Sequence, residues 1–436
     1  MKSLEYFKES FDRLQAEAGN RQLGALRNKA FNDLNKMGIP TVKHEEWKYT
    51  RISSLFNKDF QPVVDSSTQS ISVADIAPLR LPGDEKANSL VFINGKISFE
   101  LSKIISGNLV VIPLEEAAEN EYAGFVSRYF GNSANYLKDG INALNTAFVQ
   151  GAVMIQVKKG TILEHPVYIY NITDARSQHV LSQPRSLVHI DENAQAQFVE
   201  IYSSVGNEPT FTNQVMEIVV ERDAIFEYYK IQNETSQNNN VSTTHIRQVG
   251  KSYTHTVTIS LDGGIVRNNL NIVLDAERCE SHLYGLYFQK GTSHIDNHTL
   301  VDNVKPNCFS NELYKGIIDD EATAVFNGKI FVRQEAQKTN AYQSNKNVLL
   351  SDSASVNTKP QLEIFADDVK CSHGCTVGQL NEEGLFYLQS RGISEKNAKA
   401  MLLHAFAEDI LEHIRLEPIR NYVDQLISER LDFTLL

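Results

Sequence analysis

Val188-His189-Ile190-Asp191-Glu192-Asn193-Ala194 and, thirty residues on, Ile218-Val219-Val220-Glu221-Arg222-Asp223-Ala224 follow one scheme: an apolar alternation runs into an acidic or Asn turn and resumes at Ala. Ile272-Val273-Leu274-Asp275-Ala276-Glu277-Arg278, Ile317-Ile318-Asp319-Asp320-Glu321-Ala322 and Val348-Leu349-Leu350-Ser351-Asp352-Ser353-Ala354 repeat it. Alternation with period two is the mark of a half-buried strand, and Gly, Asn, Asp and Pro between the runs mark turns. With Ala194, Ala224, Ala322 and Ala354 as anchors, the first and last pairs lie 30 and 32 residues apart. That spacing predicts stacked β coils over about 153–364 more than the regular blades of a propeller. The uneven spacing in between leaves a jelly roll or sandwich open.

Outside this region the periodicity becomes helical. Leu4, Phe7, Phe11 and Leu14, then Leu23, Leu26, Ala30, Leu34 and Met37, recur every three or four residues, and Gly38-Ile39-Pro40 ends the second run. Residues 59–82 are rich in Gln, Pro, Asp, Ser and Thr and read as a connector. A helical stretch through 115–150 is expected, weakened by Gly124, Gly131 and Gly140. Near the C-terminus Asn381 and Ser394 suit helix caps, and Ala398, Leu402, Ala405, Phe406, Ile410 and Ile414 form an apolar stripe. Pro418 suits a first helical position, followed by a stripe of Ile419, Tyr422, Val423, Leu426 and Ile427. The division expected is a helical region over 1–85, a β core over 86–365, and a C-terminal segment with a helical domain over 366–436.

Composition narrows the function. The 436 residues carry 42 Lys and Arg against 54 Asp and Glu, a net charge of −12 that disfavours nucleic acid and anionic membrane surfaces as partners. No apolar run approaches the ~20 residues that span a bilayer, and Met1-Lys2-Ser3-Leu4-Glu5 does not begin a signal peptide, so a cytoplasmic location is expected. Gly328-Lys329 continues into Ile330 without the upstream glycine of a phosphate-binding loop, so the chain itself is expected to bind no nucleotide. Gly263-Gly264 lacks the third glycine of a dinucleotide fingerprint, and neither a Gly-x-Ser-x-Gly elbow nor a zincin histidine pair occurs.

Of the four cysteines, Cys279, Cys308, Cys371 and Cys375, two lie in Lys370-Cys371-Ser372-His373-Gly374-Cys375. If that segment is extended, Cys371, His373 and Cys375 share a face, with Cys371 and Cys375 roughly 13 Å apart along the backbone. Sulfurs on one tetrahedral ion lie about 3.8 Å apart, so the three cannot close on one ion unless Gly374 breaks the strand. A site built on them needs ligands from elsewhere in the fold or from another polypeptide, and thiolate with imidazole suits zinc or iron with sulfide. The plain alternative is a buried Cys beside a hydrogen-bonded His. His294-Ile295-Asp296-Asn297-His298 also alternates, but polar histidines on an exposed strand face require no metal. The only tryptophan, in Lys43-His44-Glu45-Glu46-Trp47-Lys48-Tyr49-Thr50, reads as a packed aromatic among charges.

The run from Lys359-Pro360-Gln361-Leu362-Glu363-Ile364 through Asp367-Asp368-Val369-Lys370-Cys371-Ser372-His373-Gly374, Thr376-Val377-Gly378-Gln379-Leu380 and Ser390-Arg391-Gly392-Ile393 resembles the SufB/SufD family of iron–sulfur cluster assembly proteins. Val325-Phe326-Asn327-Gly328-Lys329-Ile330, Leu313-Tyr314-Lys315-Gly316-Ile317 and Glu45-Glu46-Trp47-Lys48-Tyr49 extend the likeness over most of the chain. Gly374 after Cys-Ser-His, with the early Glu-Glu-Trp-Lys-Tyr motif, is more similar to the SufD branch than to SufB. The resemblance implies a right-handed parallel β-helix core flanked by N-terminal and C-terminal α-helical domains. It implies a non-enzymatic scaffold that supports a transient iron–sulfur cluster shared with a SufB-like paralogue bound through the β-helix. A SufC-like ABC ATPase is implied to dock on the C-terminal helical domain. By the same resemblance His373 is the leading metal ligand and Cys371 a lesser one. Cys375 stands where relatives have Ala, and Asn303 and Asn307 stand where some have histidine, which argues against a second metal site around Cys308. Two rival readings are a stand-alone β-helix enzyme, metal-dependent or carbohydrate-active, and a homodimer in isolation without cluster chemistry.

Overall fold

A computed structural model describes residues 2–18, 23–57, 60–62 and 71–432. Its core is a two-sheet parallel β-solenoid. Successive strands alternate between an 11-stranded and a 10-stranded sheet, so each pairs with the strand two ahead in sequence. Ile218 lies beside Val188 and Ile246, Ile246 beside Ile272, Ile272 beside Val301, Val301 beside Ile330, and Ile330 beside Leu362. One coil therefore takes between 26 and 32 residues, which rules out the jelly-roll and sandwich alternatives. Because paired residues of an in-register parallel ladder point to the same side, these aliphatic positions stack into one column of the interior. Most of them are fully buried.

The acidic and Asn turns are the corners. Asn193, Asp223, Arg278, Asn307 and Lys338 adopt left-handed backbone at φ between 56° and 62°. All five tie one coil to the next: Asn193 N–H donates to Arg222 C=O, Asp223 to Lys251, Arg278 to Pro306, Asn307 to Gln337 and Lys338 to Asp368. Asn and Asp accept this conformation most readily, which explains the turn chemistry. The four alanine anchors belong to two opposite corners. Ala194 and Ala224 enter strands of the 10-stranded sheet, whereas Ala322 and Ala354 precede strands of the 11-stranded sheet. Each pair is one coil apart, but the four are not a single series.

Many strands are buried on both faces, not on one. Thr210–Val220 is buried throughout. The reason is that helical elements cover the solenoid's outer surfaces. Lys2–Ala18 and Leu23–Met37 bring Phe7, Phe11, Leu14, Phe31 and Leu34 against Leu181, Phe211 and Val241. Met37, expected in that stripe, is exposed. The expected helix over 115–150 is broken into Leu114–Ala117, Ala123–Tyr129, a turn at Asn132–Asn135, and Gly140–Ala147. Part of the 59–82 connector lies outside the described residues, and Val73–Ile76 within it is helical with a Ser72 capping box. At the C-terminus Asn381 and Ser394 cap Glu382–Ser390 and Glu395–Leu411, and Pro418 is the second residue of Glu417–Arg430, one later than expected. Leu403, Ala407, Ile410, Ile419, Val423 and Ile427 pack on Tyr229, Ile231, Val257, Ile259 and Leu286 of the 10-stranded sheet. The stripe on the middle helix runs through Leu403 and Ala407, while Leu402 and Phe406 are half-buried and Ala405 is exposed.

Inside the solenoid, glycine makes room for tyrosine. A methyl group on Gly316 would lie 2.2 Å from the Tyr287 ring and 2.4 Å from Asn347 Oδ1. Tyr287 is fully buried and donates to that same Oδ1 at 2.5 Å, so it cannot swing away. Gly316→Ala is expected to destabilise by about 1–3 kcal/mol, read as a lower urea midpoint. A midpoint unchanged from the parent would mean the coil relaxes around the methyl.

Candidate functional site at the open end of the solenoid

The last coil ends in two edge strands, Ser355–Ile364 and Val369–Gly378, each paired on one side only among the described residues. Cys371, His373 and Cys375 lie beside Ala341, Gln343 and Asn345 of the preceding strand. Gln343 and Asn345 are buried inside the solenoid, where Gln343 Nε2 donates to Glu312 Oε2 at 2.8 Å and Asn345 Nδ2 donates to the Tyr287 hydroxyl at 3.0 Å. By ladder register, the three side chains of the motif therefore point along the interior, and they are accessible because no further coil covers them. His373 and Cys375 are exposed and Cys371 is half-buried. Among the described residues none hydrogen-bonds or ion-pairs with the His373 imidazole.

The strand is continuous through Gly374, so the alternation is kept and Cys371 and Cys375 stay roughly 13 Å apart along it. The chain does not gather the three onto one ion. Cys371 packs against a small apolar cluster of Ile330, Val332, Ala336, Ala341 and Ala366, and burial pushes its thiol pKa up. Less of it is thiolate, so it is a poorer metal ligand than a free thiol. Opposite, Leu362 and Pro360 lie beside inward-facing Ile330 and Gly328, so the open end is floored by apolar groups around one imidazole and two thiols.

One coil behind Gln343 sits Glu312, fully enclosed, its pKa pushed up by burial to about 7. Glu312, Gln343 and His373 occupy one register column. This alignment is invisible in the sequence, because the three are separated by 31 and 30 residues and only the coil length brings them into line.

The other histidine cluster is structural, but it is not on an exposed face. The segment around Trp47 covers it. Arg267, fully buried, places its guanidinium 3.8 Å from the Trp47 ring centroid, donates to Glu46 C=O at 2.6 Å and pairs with Asp296 Oδ2 at 2.7 Å. His298 Nε2 lies 3.0 Å from Asp296 Oδ1 and its Nδ1 3.5 Å from Glu46. Thr50 Oγ1 contacts both His294 Nε2, at 2.9 Å, and Asp296. Trp47 Nε1 donates to Asp139, which also caps Gly140–Ala147. The charges around Trp47 are thus a clasp between the N-terminal region and the solenoid, with every ring nitrogen of His294 and His298 engaged. Cys308, which follows this cluster, is buried at a corner and its Sγ contacts Ala276 C=O at 3.3 Å. Asn307 makes the left-handed corner and Asn303 Nδ2 donates to Phe331 C=O at 3.2 Å.

The structure thus defines a parallel β-solenoid flanked by helices whose last coil ends in an edge strand carrying Cys371, His373 and Cys375. Comparison with known families supplies its class. The SUF system FeS cluster assembly SufBD core domain matches residues 171–406 and the SufBD protein N-terminal region matches 2–169, so the chain belongs to the SufBD family of iron–sulfur cluster assembly proteins. It is similar to the iron–sulfur cluster assembly protein SufD of Escherichia coli, 31% identical over 96% of this chain and 95% of the relative. A SufBD family protein of Synechocystis is 32% identical over 98% of this chain and 95% of that protein. The chloroplastic protein ABCI7 of Arabidopsis thaliana is 26% identical over 92% of this chain and 84% of its own length. No described helix is long and apolar enough to cross a membrane.

Proposed function

We propose that this chain is the SufD-like scaffold of a complex with a SufB-like paralogue and a SufC-like ABC ATPase, without catalytic turnover of its own. An iron–sulfur cluster is its cargo, held transiently between this chain and the paralogue. The observation that carries the reading is the exposed imidazole of His373 on an edge strand paired on one side only, with too few donors beside it to close a coordination sphere. A metal of the assembling cluster takes His373 as one ligand, Cys371 as a lesser one, and the remainder from the partner.

Chemistry at the two edges supports pairing through the His373 strand. An unprotected edge recruits another strand, and Lys and Pro are common protections. Ser355–Ile364 carries Pro360, which has no N–H to offer, and Lys359, paired with Glu45. Val369–Gly378 carries Lys370 but no proline, so every residue keeps its N–H, and Val377 within it is exposed.

The helix Glu382–Ser390 buries none of its residues and exposes Phe386 and Tyr387 at 73% and 56%. It follows directly on the His373 strand, so a force applied to the helix bears on the site. This pair is the proposed ATPase contact. Removing the whole C-terminal domain is a poor test, since those helices cover the apolar face of the 10-stranded sheet. Phe386→Asp with Tyr387→Asp is expected to abolish co-purification with the ATPase while the paralogue is retained. The test is anaerobic co-purification with both candidate partners, followed by iron and sulfide analysis. Retention of the ATPase by the doubly substituted chain would overturn the docking assignment. Turnover of polysaccharide or ester substrates by the chain alone would overturn the scaffold reading, and a stable two-copy species that excludes the paralogue would replace it with a homodimer.

A further inference from the structure

The last two helices bring together a second set of donors, unrelated to the solenoid end. On Glu395–Leu411, His404 and Glu408 are four residues apart and so lie on one face of the helix. Asp424, on Glu417–Arg430, faces them, with its Oδ1 2.6 Å from His404 Nε2. One ligand atom from each of His404, Glu408 and Asp424 lies within 4.8 Å of the others. All three are half-buried at a cleft of about 700 Å³ that Met401, Glu412, Arg420 and Asn421 also line.

We infer that His404, Glu408 and Asp424 form a divalent-cation site that braces the two C-terminal helices, with water from the cleft completing the coordination. One imidazole and two carboxylates suit a borderline first-row ion such as Zn2+, whose bonds of about 2.0–2.2 Å put neighbouring ligand atoms about 3.3 Å apart. The three atoms reach that spacing if the His404–Asp424 contact opens slightly and Glu408 turns inward. A structural His–Asp pair accounts for two of the three groups but not for Glu408. Without a cation, its carboxylate adds like charge beside Asp424, which is unfavourable. With a cation bound, the same carboxylate becomes a ligand. Arg420 at the rim is the competing source of positive charge, and the experiment separates it from a bound ion.

The probe is Zn2+, with Co2+ for its visible absorption, added to the full chain after chelator treatment. The chain carries Cys371→Ser, His373→Ala and Cys375→Ser, so that solenoid-end donors contribute nothing. One equivalent of Zn2+ is expected to bind and to raise the melting temperature, with Co2+ giving the bands of a low-coordinate nitrogen and oxygen site. Glu408→Gln and Asp424→Asn are each expected to weaken binding at least ~10-fold. In chelator, Glu408→Gln is expected to melt no lower than its parent, because it removes like charge, and Arg420→Gln is expected to leave Zn2+ binding intact. The assignment is wrong if Zn2+ fails to saturate by about 0.1 mM, or raises the melting temperature of the Glu408→Gln chain as much as its parent. A Glu408→Gln chain that melts lower in chelator would make Glu408 a structural partner instead.

Discussion

Replacing His373 by Ala is expected to remove the iron–sulfur cluster from the assembled complex while leaving this chain's stability unchanged within about 0.5 kcal/mol. The two halves of that expectation have separate causes. The imidazole is exposed, beyond the last interior layer, and no described group hydrogen-bonds to it, so its loss opens no cavity and orphans no partner. Its proposed task is performed only when another subunit supplies the remaining ligands. Loss of even an outer hydrogen-bond partner of a ligand weakens metal binding by about 10–100-fold, and loss of the ligand itself should do more. Iron and sulfide per complex, measured after anaerobic purification, should fall by at least that range. Cys371→Ser should have a smaller effect, because burial disfavours its thiolate. Cluster content equal to that of the unsubstituted complex would remove His373 from the coordination sphere and with it the proposed mechanism.

Asp296→Asn is expected to destabilise strongly, by about 3–5 kcal/mol, since it leaves the Arg267 charge buried without its counter-ion. Arg267 and Asp296 have side chains 0% and 1% exposed. With the pair broken, the guanidinium keeps its Trp47 stacking and backbone acceptor but not its charge balance, and the clasp on the N-terminal region loosens. The same residues set the acid limit. Burial pushes the Asp296 carboxyl up, but His298 and Arg267 outweigh it and hold the carboxyl well below the usual range. Glu46 is held down to about 2, first by its hydrogen bond with His298, although with its side chain half exposed solvent screens much of that effect. A carboxyl whose pKa is depressed by folding adds stability that is fully present above its unfolded value, near 4, and is lost as pH falls through the folded value. Urea midpoints should therefore decline between about pH 4 and pH 2, and the decline should be shallower in the Asp296→Asn chain. A decline of equal slope in both would locate the acid-sensitive groups elsewhere.

The clasp also illustrates what sequence reading could not reach. Trp47 among its charges, and the His294, Asp296 and His298 alternation, were each legible as a local pattern. Their meeting depends on Arg267, one coil before Asp296, whose register partner only the solenoid defines. The turn pattern carried the coil length but not the two corners, because at both an apolar run meets an acidic or Asn turn before a buried Ala. The helix caps at Asn381 and Ser394 were legible because capping is a contact over three residues. The phase of the Glu395–Leu411 stripe was not, because that helix is apolar on too much of its circumference for sequence to say which side meets the sheet.

By itself the sequence determined that this chain is mainly β, that its strands recur at about thirty residues between helical ends, and that Cys371, His373 and Cys375 share one side of a strand. Those are consequences of short-range sterics and periodicity, which act within a few residues. Only the tertiary structure decided that this side is the interior, and that the coil bearing it is the last. Which face of a strand is inside, and what lies beyond it, depend on pairings between residues thirty positions apart. The same pairings put Glu312 and Gln343 in line behind His373 and leave the imidazole at an edge where another chain can reach it.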